Sequence, residues 1–328
     1  MKKYCWLILG AGRAAADMAR ALQEENGEIY AVAARSPEKA RAFAEKYHIE
    51  KVYGDMEEAL QDKKTDIVYI ATPHDSHYEW MKKAAGQGKH ILCEKSITVN
   101  AWQLLEVYAM ANRSGSIVAE AMTLYHMPLY RQLDAILKSG ALGAVKLVQV
   151  NFGSCKPDDP EGRFFSKEYA GGALLDIGVY ALAFARFFLA AQPGVILTTP
   201  CYFETGVDEQ SGIIMKNGMG QLAVTALTMR AKQPKRGVVS CEKGYIEIED
   251  YPRADKAVIV WTESGKREEI CAGETDMALR YEIRDMQAAV QTGRTETLFC
   301  PYTADVMQLM DHVRTQWGLR YPCERERH

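Results

Sequence analysis

Short apolar runs alternate with amphipathic stretches through the first third of the chain. The runs occupy residues 4–9, 29–34, 66–71, 90–93 and 117–119, and the amphipathic stretches 13–25, 37–47, 76–87 and 101–114. Runs that are apolar on both faces predict strands covered on both sides, and the helices between them predict a parallel sheet. Right-handed crossovers then make that sheet doubly wound. The rhythm changes after Met122. Residues 128–138 predict a helix, 145–152 a strand, 172–189 a long apolar helix and 195–271 an open, mainly antiparallel sheet. Lys216-Asn217-Gly218-Met219 predicts a two-residue type I′ hairpin turn, with φ > 0 at both Asn217 and Gly218. Cys241-Glu242-Lys243-Gly244-Tyr245 predicts a second turn, and helices over 277–292 and 303–317 close the chain. This pattern divides the chain into domains at 1–122 and 123–328, with the C-terminal helix free to pack back on the first.

Composition mainly excludes. The 328 residues suit two domains, and a 48% hydrophobic, 25% charged chain has enough apolar matter for packed cores. Forty Lys+Arg against 43 Asp+Glu leave a net charge of −3 without a basic stripe, which argues against a nucleic-acid partner. The apolar run after Met1-Lys2-Lys3 ends in Gly10-Ala11-Gly12 rather than in a cleavage site. No apolar stretch reaches the roughly 18 residues a membrane span needs. The eight cysteines are scattered without a C-x-x-C, which predicts reduced thiols, no metal site and a soluble, cytoplasmic chain.

The first strand-to-helix junction carries the clearest chemistry. Leu9-Gly10-Ala11-Gly12-Arg13-Ala14-Ala15 sets a G-x-G-x-x-A pattern at the end of a strand and the start of a helix. Gly10 suits a tight turn, Gly12 the close approach of a pyrophosphate, and Ala15 close helix–strand packing. The helix N-terminus adds unpaired N–H groups and a favourable dipole, so this is a Rossmann-type dinucleotide site. After the second strand stand Arg35 and Ser36, with Lys39 one turn on, where an NAD site usually has an acid. That set favours NADP(H), with NAD(H) as the alternative.

Three further segments follow in order: Ala71-Thr72-Pro73-His74-Asp75-Ser76-His77, Cys93-Glu94-Lys95, and Gly171-Gly172-Ala173-Leu174-Leu175-Asp176-Ile177-Gly178-Val179-Tyr180. With the Gly-rich turn, this ordered set resembles the Gfo/Idh/MocA family of oxidoreductases over nearly the whole chain. Ala33-Ala34-Arg35, Glu204-Thr205-Gly206-Val207-Asp208 and Tyr180 in place of a His bring it nearest the dimeric dihydrodiol dehydrogenase and NADP-dependent D-xylose dehydrogenase group. The resemblance implies that Gly10, Gly12, Arg13, Ala14, Arg35, Ser36, Thr72, Pro73, His77, Glu94 and Lys95 serve the cofactor. Two positions depart from the family: Ser96 replaces a Pro, which predicts a looser turn, and His74 replaces an Asn.

Moving a hydride from a carbinol carbon requires that the hydroxyl proton leave with it. Lys95, at the C-terminal end of a strand beside the nicotinamide site, is a candidate proton carrier. Asp176 and Tyr180 stand at i and i+4 of an otherwise apolar predicted helix, so both face one polar cavity. Tyr180 then exchanges the substrate proton, Lys95 stabilises the phenolate and Asp176 fixes orientation. Tyr125 and Arg163 are further substrate-contact candidates. The reading is hydride transfer between NADP(H) and a small polyhydroxylated sugar, polyol or cyclic diol. Its alternatives are an NAD-dependent inositol- or amino-sugar-type dehydrogenase and a non-catalytic dinucleotide-binding regulator. An open antiparallel sheet has a face to cover, which predicts a homodimer, with a tetramer as the alternative.

Overall fold

In the computed structural model, which describes residues 3–25 and 27–324, the apolar runs of the first third are strands. Met1 and Lys2, which precede the first apolar run, lie outside the described residues. Strands β1 (Cys5–Leu9), β2 (Glu28–Ala33), β3 (Lys51–Tyr53), β4 (Ile67–Ile70), β5 (His90–Glu94) and β6 (Val118–Ala121) alternate with helices. Those helices are α1 (Arg13–Glu24), α2 (Pro37–Tyr47), α3 (Met56–Gln61), α4 (His74–Gly86) and α5 (Ala101–Ser114). The strands pair in parallel in the order β3-β2-β1-β4-β5-β6, which is the doubly wound sheet the pattern predicts. Every residue of β4 is buried, because helices cover both faces. On one face Trp6, Ile8, Tyr69 and Leu92 pack with Met18 and Leu22 of α1. Each of the Ile, Leu and Met side chains among them contributes about 1.5–3 kcal/mol of burial. The sequence reading has no counterpart for β3 and α3, which are too short to show a period.

The chain forms two units: Met1–Met122 with Met277–Cys300, and Thr123–Asp276 with Pro301–His328. The helix Ala278–Thr292 thus lies in the first unit. Its Ile283, Met286 and Ala289 enter the core just described, and its Arg280 and Arg284 pair with Glu25.

The second unit opens with α6 (Thr123–His126), α7 (Pro128–Lys138) and β7 (Val145–Gly153). A five-residue π-helical turn, Leu174–Gly178, leads into α8 (Val179–Phe188). Seven strands follow: β8 (Pro193–Tyr202), β9 (Asp208–Asn217), β10 (Leu222–Thr228), β11 (Gln233–Cys241), β12 (Gly244–Glu249), β13 (Lys256–Trp261) and β14 (Arg267–Cys271). The helix Cys300–Trp317 ends the fold. The eight-stranded sheet runs β14-β13-β12-β11-β7-β10-β9-β8 and is antiparallel except where β7 meets β10. On its inner face Val148, Val150, Ile213, Met215, Leu227 and Val239 are buried. Gly237 belongs to that face because a Cβ there would collide with the ring of Phe184 on α8. On the outer face Leu197, Ile214 and Val224 are neighbours across three strands and remain 64%, 47% and 36% exposed.

Two sequence expectations need correction. The β9–β10 turn is not the two-residue I′ type, since positive φ falls on Gly220 (78°) and on neither Asn217 nor Gly218. Gly220 donates its N–H to the Asn217 carbonyl, and the Asn217 side-chain Oδ1 accepts from the backbone of Met219 and Gln221. That side-chain turn supplies what the mirror-image backbone would have supplied. The helix expected over 172–189 begins at Leu174 as a π turn, a form that the apolar pattern does not advertise. Among the described residues no helix is long and apolar enough to cross a membrane.

Candidate active site

The cofactor candidates of the first unit fall on one edge of the parallel sheet, just past the C-terminal ends of β1, β2, β4 and β5. The chain order reverses between β1 and β4, and open α/β sheets bind ligands at such a point. Gly10 takes φ +112°, and a Cβ there would collide with the Ala71 carbonyl, so this turn admits only glycine. Gly12 caps α1, whose N-terminus has no side-chain cap and no acid in its first turn. Nothing lies within 4 Å of where a Gly12 Cβ would stand, so there is open space beside this uncapped helix start. This cradle fits a diphosphate.

Arg35 is exposed, as the site would require. Ser36 caps α2: its hydroxyl accepts the Lys39 N–H at 3.3 Å and donates to the Glu38 carboxylate at 2.8 Å. The Glu38 N–H and the Ser36 hydroxyl hold that carboxyl below its usual range. Glu38 therefore sets an anion among Arg35, Ser36 and Lys39, a residue the sequence reading passed over; an acid in a first helical turn was its signal.

The loops after β4 and β5 are braced by two histidines of α4. His74 places Nε2 3.2 Å from the Lys95 carbonyl oxygen, which gives a local reason for a His at this position. His77 is fully buried, with Nδ1 2.9 Å from the Ser96 carbonyl and Nε2 2.8 Å from the Thr72 carbonyl. Burial pushes its pKa down, against the pull of those two carbonyls. The His77 ring thus ties two loops together, and its nitrogens are spoken for. Ser96, joined to Lys95 by a cis peptide, is fully buried, and Ile97 donates its N–H to the buried Glu120 at 3.1 Å. Where the family has Pro, the segment is tied by His77 at the Ser96 carbonyl and by Glu120 at the Ile97 N–H. Glu94 accepts a hydrogen bond from the buried Tyr69 hydroxyl. Lys95 follows, half-buried.

In the second unit Asp176 is buried on the π turn and Tyr180 is half-buried in the first turn of α8. A Cβ at Gly178 would collide with Leu227 of β10, so glycine lets this turn sit against the sheet. Arg163 reaches to 3.9 Å from Asp176 with its side chain 65% exposed, so the two are near each other without a hydrogen bond. The Tyr180 ring lies 6.1 Å from that of Phe152 on β7, and the Lys235 ammonium sits 5.1 Å above the same ring. Burial lowers the Lys235 pKa; Asp250 opposes that shift, while Lys232 and Arg253 add to it. Tyr251 is buried near Tyr180, and its hydroxyl pKa is raised by burial first and by Tyr180 second. Phe152, Lys235 and Tyr251 were not among the sequence candidates, since nothing in the sequence relates three separate strands and turns to Tyr180. Tyr125 is 1% exposed, and its ring lies 6.1 Å from that of Tyr302.

Residues 5–122 match the oxidoreductase family with NAD-binding Rossmann fold, and residues 130–247 match the GFO/IDH/MocA C-terminal domain. The chain is 30% identical to the trans-1,2-dihydrobenzene-1,2-diol dehydrogenase of Xenopus tropicalis over 97% of this chain and 99% of the relative. It is 29% identical to D-xylose 1-dehydrogenase (NADP(+)) 2 of Haloferax volcanii over 93% of this chain and 95% of that one. Among solved structures, a 3-ketoreductase from Actinomadura kijaniata, in complex with TDP-benzene and NADP, superposes with a TM-score of 0.83 at 24% identity. That match covers 96% of this chain and 98% of the other.

Proposed function

The chain belongs to the GFO/IDH/MocA oxidoreductase family, and from that premise we propose that it moves a hydride between NADP(H) and a CH–OH/carbonyl group of a sugar, polyol or cyclic diol. The observation that carries the reading is the uncapped, acid-free N-terminus of α1 behind Gly12, on the same sheet edge as Arg35, Thr72 and Lys95. Arg13 and Ala14 would bind the diphosphate through backbone N–H groups, and Arg35, Ser36 and Lys39 a 2′-phosphate. Thr72 and Pro73 would flank the nicotinamide on loops that His77 and Glu94 help to hold. The bound cofactor would give or accept the hydride. Lys95 and Tyr180 would carry the hydroxyl proton, with Asp176 orienting the substrate and Arg163 beside it contacting a substrate oxygen. The names of the Xenopus and Haloferax relatives support the substrate class, and the Haloferax name supports NADP.

A second reading, NAD(H) with an inositol- or amino-sugar-type substrate, draws on Glu38, whose carboxylate could serve a ribose 2′-hydroxyl. A binding-only regulator is disfavoured because Lys95, Asp176 and Tyr180 are all retained. The exposed row Leu197, Ile214 and Val224 is taken as the face that a second copy covers in a homodimer.

The test is a panel of aldoses, polyols and trans-diols assayed with NADP+ and with NAD+ by the appearance of reduced cofactor. Turnover of at least one, faster with NADP+, is expected. A folded protein that binds NADPH yet turns over none would overturn the enzymatic reading.

A further inference from the structure

The stretch Glu204-Thr205-Gly206-Val207-Asp208 has no part in the chemistry above. It forms the corner between β8 and β9, closed by Gly206 at φ +83° and by the Phe203 N–H donating to the Val207 carbonyl at 2.9 Å. We propose that this corner is a clasp, and that Asp208 is a positioning residue which sets Asp176 and Tyr180 for proton transfer. The inference rests on the reading that Tyr180 carries the proton.

Asp208 is fully buried, and its Oδ2 accepts the backbone N–H of Leu174 at 2.7 Å. Leu174 is the first residue of the π turn that contains Asp176 and runs into the first turn of α8, where Tyr180 stands. The first amides of a helix have no partner inside it, so this carboxylate determines where the segment starts. Gly172 takes φ +117°, and a Cβ there would collide with the other oxygen, Oδ1, so the carboxylate lies against the loop backbone itself. Thr205, at the other end of the clasp, donates its hydroxyl to the Phe165 carbonyl, and the Phe165 ring stacks on Phe203 at 4.2 Å. The loop between these two grips includes Gly171, whose carbonyl accepts from the Tyr321 hydroxyl at 2.7 Å, and Gly172, whose N–H donates to the Phe164 carbonyl at 2.8 Å. Arg163, the residue near Asp176, stands just before the Thr205 grip. The clasp therefore holds both ends of the loop that brings Arg163 within 3.9 Å of Asp176 and leads into the helix of Tyr180. Placement errors of about 1 Å cost about 10²-fold in rate, so a group that fixes a helix start governs turnover without touching substrate.

The experiment is a double-mutant cycle in the full chain with Asp208→Asn and Tyr180→Phe, read as kcat, KM and NADPH affinity. Asp208→Asn alone should lower kcat by about 10²-fold and leave NADPH affinity within about two-fold. In the Tyr180→Phe background the same change should cost little more, since Asp208 acts through the segment that Tyr180 belongs to. Equal losses from Asp208→Asn in both backgrounds would overturn the clasp in favour of a general structural role. Full activity in Tyr180→Phe alone would instead overturn the assignment of Tyr180. Thr205→Val covers the case in which Asp208→Asn does not fold: it removes the other grip, and unchanged kcat there would also overturn the proposal.

Discussion

Glu38 follows Arg35 by three residues and receives the Ser36 hydroxyl, so at the proposed cofactor site the choice of dinucleotide would be a contest between neighbouring charges. Arg35 and Lys39 favour a 2′-phosphate, whereas Glu38 repels one. Arg35→Ala is expected to weaken NADPH binding roughly ten-fold or more and to leave NADH almost unchanged. Glu38→Gln should move the ratio the other way by a few-fold, a size typical of exposed pairs. Titration of both dinucleotides against each variant checks this, and equal dissociation constants in the unmodified protein would contradict it. The place of Arg35 and Ser36 between β2 and α2 was legible from the strand–helix alternation; the bend of Glu38 back to Ser36 was not, since it depends on the turn geometry of α2. A second residue-scale consequence concerns pH. Burial pushes the Asp208 carboxyl up to about 7 from 3.8, with the Leu174 N–H and the Arg314 charge opposing. Between those values the unfolded chain releases a proton that the folded protein keeps, so this group's share of stability is full below 3.8 and declines until pH passes about 7. His77 acts in the opposite sense, its lowered pKa withdrawing stability as pH falls below 6.5. The thermal midpoint of Asp208→Asn relative to the unmodified protein should therefore rise from about pH 5 to about pH 8. A difference that stays constant over that range would contradict the buried-carboxyl assignment.

At the scale of elements, the alternation of apolar runs and helical stretches was readable because strands covered on both faces need apolar residues at every position. Val148 to Phe152 was readable for the opposite reason, its buried apolar residues alternating with the outward polar Gln149 and Asn151. What escaped was whatever has no period: the three-residue β3, the six-residue α3 and the π turn. The Asn217-Gly218 signal located the right hairpin and the wrong glycine. Because positive φ falls at Gly220, Gly220→Val should cost about 1–2 kcal/mol of stability. Gly218 is at ordinary φ with nothing within 4 Å of a new Cβ, and Gly218→Val should stay within about 0.5 kcal/mol. Urea unfolding of the two variants decides, and the reverse order would restore the two-residue turn.

For the whole molecule, the doubly wound sheet and the change of pattern near Met122 could be read from the chain, while the inclusion of Met277–Cys300 in the first unit could not. Its apolar stripe (Ile283, Met286, Ala289) says only that the helix is covered on one side, not by what. The outer face of the eight-stranded sheet bears on assembly. If Leu197, Ile214 and Val224 face a second copy, Leu197→Lys with Ile214→Glu should shift sedimentation from dimer to monomer. A monomer in the unmodified protein, or a dimer unmoved by both changes, would contradict that surface. The central claim, hydride transfer with Lys95 and Tyr180 as one proton-carrying unit, is tested most directly by kcat/KM for the best substrate with NADP+. The comparison covers the unmodified protein, Lys95→Met, Tyr180→Phe and the double variant. Each single change should lower kcat/KM by about 10²–10⁴-fold, with NADPH affinity held and the double variant hardly worse than the poorer single one. Losses that multiply in the double variant, or full activity in either single variant, would contradict it.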